Sequence, residues 1–340
     1  MSIVIAGVDG LEHVGTHLRN AASRIGLPHR FLDTRKAYAG PFFTRKIAWH
    51  LAGRRPAKLT QFSDHVETTF PGACCLITTG LAPIMGKTLL EARKAGVVTA
   101  NFLTDDPWNP AHRAPWFLTA LPHYDFVFTP RRANMNDLEL AGCKKVEYLA
   151  FAYGEELHFP SDRPAADCDV FFAGGADADR LPWISTLIRA GINVGLYGGY
   201  WNTFEETRRH ARGLIPPDQL NRFVSGARVC LCLVRKANRD GHCMRTFELA
   251  AMKACMLVER TQEHVDLFGP EAESVTYFES PSELVVKVRW LLANSKERTR
   301  LAESVYNRIT TGAHTYTDRL NQMLAHLQIP VPLGTHSCSA

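Results

Sequence analysis

The sequence predicts an α/β fold made of two doubly wound domains, and three observations carry that expectation. Short apolar runs alternate with helix-like segments along most of the chain, a pattern that implies parallel sheets with crossover helices. The alternation breaks once, in a proline-bearing stretch between residues 152 and 166, and then begins again. A length of 340 residues suits two domains.

The elements follow in order. Residues 2–8 form a β-branched run closed by Gly7 and Asp9-Gly10, with a helix expected at 14–25 and a strand at 29–32. Further strands are expected at 74–79, 97–103, 124–129 and 145–149, with a helix at 87–95. The second alternation has strands at 168–173, 193–197, 228–234, 255–258 and 274–278. Its helices are expected at 181–190, 244–254, 282–293, 296–310 and 315–326. The domains are accordingly 1–152 and 167–329, joined by a linker at 153–166 and followed by a tail at 330–340. They are expected to face one another across a cleft.

Composition narrows the class. With 46% hydrophobic and 21% charged residues, the chain has material for ordinary globular cores. A net charge of +5 suits anionic small molecules but falls short of a nucleic-acid-binding signature. Nine cysteines, an odd number without a CxxC pair, fit buried thiols in a reducing compartment better than disulfides. The first residues already read as a strand, so no signal peptide is expected. No apolar run approaches the ~20 residues of a membrane span. A cytoplasmic location is expected.

The glycine loop Gly7–Gly15 follows the first strand and invites the dinucleotide-binding test. That motif requires GxGxxG, but position 9 is Asp and the spacing fails. Gly86-Lys87-Thr88 lacks the earlier glycine of a phosphate-binding P-loop and reads as a helix start. The His residues are scattered without ligand spacing, so no metal site is expected.

Charged groups gather instead between the strand at 228–234 and the helix beginning near Met244. In open α/β sheets ligands sit at such strand-to-helix switch points. A helix N-terminus there offers free N–H groups to an anion. The segment Met244-Arg-Thr-Phe-Glu248, its Ala-containing helix and Glu259-Arg-Thr-Gln-Glu263 resemble the CgeB-like (spore-coat-type) glycosyltransferases. These are similar to family-4 glycosyltransferases of GT-B fold, built of two Rossmann-like domains. Asp169-Val-Phe-Phe-Ala-Gly174, Gly195-Leu-Tyr-Gly-Gly-Tyr-Trp201 and Leu103-Thr-Asp-Asp-Pro-Trp108 extend the likeness over nearly the whole chain.

The resemblance implies a nucleotide-diphosphate sugar as donor on the C-terminal domain, an acceptor on the N-terminal one, and no obligatory metal. It implies hexosyltransferase-like chemistry. In the family a Glu–seven residues–Glu motif grips the donor. Glu248 matches its second Glu, which holds the ribose hydroxyls, and the first falls on Asp240, one methylene shorter.

Each candidate has a plainer reading beside the functional one. Glu248 with Arg245 three residues earlier could be a surface ion pair. Arg245 and Arg180 both sit at helix starts, where a cation is unfavourable unless an anion is bound, and an Arg fork matches diphosphate oxygens. A solvated Arg is the alternative. Asp240 and His242 lie in a loop and could contact sugar or phosphate, or merely shape a turn. Asp105 and Asp106 end a strand and could orient or deprotonate an acceptor hydroxyl, or cap a turn. His13 is a further acceptor-side candidate. The basic, aromatic segment 41–58 could make weak peripheral contact with anionic lipid, or be a solvated helix. A nucleotide-sugar epimerase of the same architecture, and a non-catalytic nucleotide-sugar-binding or assembly protein, compete with the transferase reading.

Overall fold

The structure, a computed structural model, describes residues 2–40, 53–165 and 168–330. It divides into two compact units. Unit 1 comprises Met1–Ala150, Ala237–Arg239 and Tyr316–Ala340, and unit 2 comprises Phe151–Lys236 and Asp240–Thr315.

Unit 1 is built on a parallel six-stranded sheet: β1 (Ser2–Gly7), β2 (His29–Asp33), β3 (Ala73–Thr79), β4 (Val98–Phe102), β5 (Phe126–Thr129) and β6 (Val146–Tyr148). The spatial order is β2-β1-β3-β4-β5-β6. Ile3, Val4, Ile5 and Ala6 are fully buried, as expected when helices cover both faces of a parallel sheet. Helices α1 (Val14–Arg24), α2 (Leu59–Glu67), α3 (Gly86–Lys94), α4 (Pro115–Ala120) and α5 (Met135–Leu140) connect the strands. On α1 the buried residues Val14, Leu18, Ala21 and Ala22 follow the helical period.

The early glycines have a packing explanation. A Cβ on Gly7 would stand 2.7 Å from the Gly15 Cα, so β1 and α1 approach too closely for a side chain at either position.

Unit 2 repeats the architecture with β7 (Val170–Ala173), β8 (Val194–Tyr197), β9 (Ala211–Gly213), β10 (Val229–Cys232), β11 (Met256–Glu259) and β12 (Thr276–Phe278). The order is β12-β11-β10-β7-β8-β9, all parallel where register is defined. Its helices are α6 (Leu181–Arg189), α7 (Leu220–Gly226), α8 (Met244–Ala251), α9 (Gln262–Phe268), α10 (Pro281–Ala293) and α11 (Ser295–Thr311). The core gathers strand residues such as Val170, Leu196 and Leu257 with Leu187, Leu284 and Leu291 from helices.

Two boundaries differ from the expected domains. The last helix, α12 (Tyr316–His326), belongs to unit 1, where it packs on α1. The Tyr316 ring stacks on His17 with centroids 4.7 Å apart, and Arg319 donates to the Ala150 carbonyl at 2.8 Å. The stretch expected as a linker is instead largely part of unit 2. The Tyr153 N–H donates to the His314 carbonyl at 3.1 Å, and His158 is buried. Prolines there signalled irregular backbone, which need not mean exposed backbone. Residues 41–52 of the basic segment and 331–340 of the tail lie outside the described residues. No helix among the described residues is long and apolar enough to cross a membrane.

Candidate active site at the switch point of unit 2

From β7 the chain proceeds outward to β8 and β9, whereas β10 returns to the other side of β7 and leads on to β11 and β12. The order therefore reverses between β7 and β10, and the loops beyond their C-terminal ends flank the place where open α/β sheets bind ligands. Those loops are residues 174–180 and 233–243.

The β7 loop is shaped by glycine. Gly198 has φ +140, and a Cβ on it would lie 2.3 Å from the Gly174 carbonyl oxygen. The same carbonyl accepts the indole N–H of buried Trp201 at 2.7 Å. This close approach explains Gly198, while a Cβ on Gly174 would lie 3.0 Å from the Phe172 ring.

Asp177 then starts α6 by accepting the backbone N–H of Asp179 at 3.1 Å and of Arg180 at 2.9 Å. The Arg180 guanidinium is 7% exposed and lies over the Phe172 ring, 5.6 Å from its centroid. It donates to the Gly175 carbonyl at 3.1 Å and stands 3.5 Å from an Asp177 carboxylate oxygen. Its buried Nε has no hydrogen-bond partner. A buried donor left unspent is costly and unusual in a finished core. Opposing charge comes from Glu259 at the end of β11, which accepts the Val234 N–H at 3.1 Å. Burial raises the Glu259 carboxyl above the usual range, with Lys236 and Arg180 acting against that rise.

The start of α8 is a closed hydrogen-bond network. The Cys243 N–H donates to the Thr246 hydroxyl at 3.1 Å, and that hydroxyl lies 2.9 Å from the His264 Nε2. Nδ1 of His264 is 2.8 Å from the Glu259 backbone carbonyl. Nδ1 therefore carries the proton and Nε2 accepts from Thr246. Burial pushes His264 down to about 4, which keeps the ring neutral.

Arg245 follows on the first turn, with a third of its side chain exposed, and forms an ion pair with Glu248. Glu248 is 1% exposed. On its other side the His158 Nε2 is 3.7 Å away, while the His158 Nδ1 accepts the Gly154 N–H at 2.9 Å. Neutral His158 thus presents its N–H toward Glu248.

The loop before α8 holds two other candidates. Asp240 is half-buried, and its N–H reaches the Arg235 carbonyl at 3.3 Å to close the turn. His242 is 2% exposed, with Nδ1 2.5 Å from a Glu263 carboxylate oxygen and Nε2 accepting the Phe151 N–H at 3.1 Å. Its ring also packs edge-on against Phe151 and Phe247. With both nitrogens spent inside the protein, His242 anchors the loop and is not placed to receive a sugar or phosphate.

The remaining candidates lie in unit 1. Asp106 is 1% exposed and takes a two-pronged grip from Arg239, at 2.5 and 3.1 Å, besides accepting the Trp108 N–H at 3.1 Å. Arg239 also reaches Asp137 at 2.5 Å, and both carboxylates hold its guanidinium more firmly protonated than usual. These bonds make Asp106 a structural group rather than an acceptor base. Asp105 is more open, 3.4 Å from the Asn238 amide nitrogen and 3.8 Å from the His112 Nε2. His13 stands at the start of α1, largely exposed, 3.6 Å from Glu12.

The structure thus pairs Arg245 directly with Glu248 and sets Arg180 on the neighbouring loop, while Asp105, Asp106 and His13 belong to the other unit. Sequence reasoning did not single out His158, Thr246, Glu259 or His264, although Thr246 and Glu259 lie within the segments that carry the resemblance. Among the described residues no three His, Cys, Asp or Glu side chains gather as a metal site.

Residues 180–325 match the family model described as "Glycosyl transferase-like". No curated protein matches the chain. Solved structures do. Sucrose-phosphate synthase from Thermosynechococcus elongatus is 13% identical over 96% of this chain and 98% of its own, with a TM-score of 0.68. T4 phage beta-glucosyltransferase in complex with its UDP-glucose substrate is 14% identical over 97% of this chain and 100% of its own, with a TM-score of 0.63. The UDP co-structure of S. aureus MnaA is 11% identical over 98% of this chain and 100% of its own, at a TM-score of 0.54. At such identities these likenesses speak for the fold, which is that of GT-B glycosyltransferases.

Proposed function

Taking the glycosyltransferase-like match of residues 180–325 as premise, we propose that this protein transfers a sugar, hexose-like in class, from a nucleotide-diphosphate sugar to an acceptor hydroxyl. The observation that carries the reading is the pair of arginines at the switch point. Arg180 is buried with an unspent Nε, and Arg245 lies on the first turn of α8. Two guanidinium groups beside a helix N-terminus match a diphosphate in charge and geometry.

In this reaction the acceptor oxygen attacks the anomeric carbon as its bond to the diphosphate breaks. Charge develops on the departing phosphate oxygen, and Arg180 and Arg245 stabilise it there without an obligatory metal. Glu248 holds the donor ribose, with Arg245 shared between it and the diphosphate. Asp240 is assigned to the donor sugar and Asp105 to the acceptor, with His13 a second acceptor-side group. The CgeB-like affiliation belongs to the same proposal. Support comes from the family match, which spans Arg180, Asp240, Arg245 and Glu248. It comes also from the fold shared with a UDP-glucose-dependent enzyme.

A thermal-shift screen over UDP-, GDP-, ADP- and dTDP-sugars tests the reading, followed by turnover with the donor that stabilises. At least one donor should raise the melting temperature, and turnover should survive a chelator. If no nucleotide sugar binds, the proposal fails. Epimerised donor without acceptor would favour an epimerase, and binding without turnover a non-catalytic protein.

A further inference from the structure

Two thiols meet where β10 ends and α8 begins. Cys232 is the last residue of β10 and is 1% exposed, whereas half-buried Cys243 caps α8. Their sulfurs are 4.0 Å apart. The Thr246 hydroxyl lies 3.6 Å from the Cys232 sulfur and 3.7 Å from that of Cys243, so all three share one small polar pocket. A disulfide requires sulfurs ~2.05 Å apart, so each must move by only about 1 Å, within reach of modest side-chain rotation.

The two differ in character. The Cys243 thiol is drawn down from the ordinary thiol range, first by the hydrogen bond from the Cys232 thiol, with the charge of Arg180 and the Thr246 backbone N–H adding to it against burial. Cys232 is pushed well up by donating that bond and by burial. A half-buried thiol that ionises more readily than usual, beside a buried one that ionises less readily, suits an attacking and a resolving cysteine.

We propose that Cys243 and Cys232 form a peroxide-oxidisable dithiol that closes to a disulfide at the N-terminus of α8. The Cys243 thiolate attacks one peroxide oxygen. A sulfur–oxygen bond forms, the oxygen–oxygen bond breaks, and the departing hydroxide takes a proton to become water. The Cys232 thiol then attacks the Cys243 sulfenic sulfur. The sulfur–sulfur bond forms, the sulfur–oxygen bond breaks, and hydroxide leaves with the Cys232 proton as a second water. Peroxide is reduced and both sulfurs are oxidised.

The disulfide draws Cys243 toward β10 and disturbs its N–H bond to Thr246, and with it the turn that carries Arg245. Weaker donor binding follows, a consequence that rests on the function proposed above, whereas the cross-link itself does not.

The test uses the full chain, reduced, freed of reductant, treated with hydrogen peroxide and alkylated under denaturing conditions for peptide mapping. A cross-link between the Cys232 and Cys243 peptides, reversed by phosphine, is expected. Cys232→Ser should leave a Cys243 sulfenic acid that dimedone traps. Both thiols remaining alkylatable while Cys74 oxidises, or a cross-link elsewhere, overturns the proposal. The wild-type map decides this even if the serine variant misfolds. Oxidised protein should bind its nucleotide sugar at least tenfold more weakly, and equal affinity in both states overturns the link to donor binding. No nucleotide-sugar binding in either state counts against the transferase reading, and the cross-link then decides the dithiol alone.

Discussion

Glu248 is buried to 1% exposure against Arg245, three residues earlier on the same face of α8, and the two are ion-paired. The carboxylate is thus held at a helix start by a cation that can be recruited to an anionic ligand.

Replacing Glu248 with Ala should weaken donor affinity about ten- to a hundredfold, from hydrogen bonds to a charged group worth ~1.5–3 kcal/mol. Calorimetric titration of the variant checks it. Unaltered affinity removes Glu248 from the donor site.

Arg180 tests the diphosphate grip. Its charge is opposed by Asp177 and Glu259 and it donates to the Gly175 carbonyl, so Arg180→Met should lower stability by about 1–3 kcal/mol. The same variant should lose about a hundredfold in turnover, as when one donor to a developing oxyanion is removed. Turnover within a few-fold of the unaltered protein, measured below the variant's melting temperature, would remove Arg180 from the reaction.

His264 predicts a pH dependence. Its folded value of about 4 lies below the ordinary 6.5, so the unfolded chain binds the extra proton and stability rises with pH across that window. The contribution is present above about 6.5 and lost as pH falls toward 4, on the order of 3 kcal/mol in all. Urea unfolding between pH 4 and 7 measures the slope, and His264→Gln should flatten it. An equal slope in the variant would assign the effect to other groups.

Arg239 bridges Asp106 and Asp137 within unit 1, with its own side chain 37% exposed. Arg239→Ala strands the buried Asp106 carboxylate. Discounted for exposure of the arginine, the loss should be about 1–3 kcal/mol. Arg239→Lys should recover only part of it, because a single ammonium cannot grip both oxygens of Asp106. Chemical denaturation of the three proteins would show that order, and equal midpoints would refute it.

The strands were legible because both faces of each central sheet are covered, so that Val170–Ala173 and Val229–Cys232 read as unbroken apolar runs. Short helices such as Leu220–Gly226 and Gln262–Phe268 were not, since one or two turns give too little period to recognise. At the site, the three-residue spacing of Arg245 and Glu248 was visible because helix geometry is local. The partners of His242 were not legible, because one of them is Phe151, 91 residues away. The grip on Asp106 was hidden likewise, its partner Arg239 lying 133 residues along the chain. Contacts of that separation have no local trace.

The placement of α12 also bears on biosynthesis. Unit 1 contains β1 yet takes its α12 from Tyr316–His326, which follows the last residue of unit 2, Thr315. During synthesis the α1 face that meets α12 therefore stays uncovered until Tyr316–His326 has emerged, after all of unit 2 has.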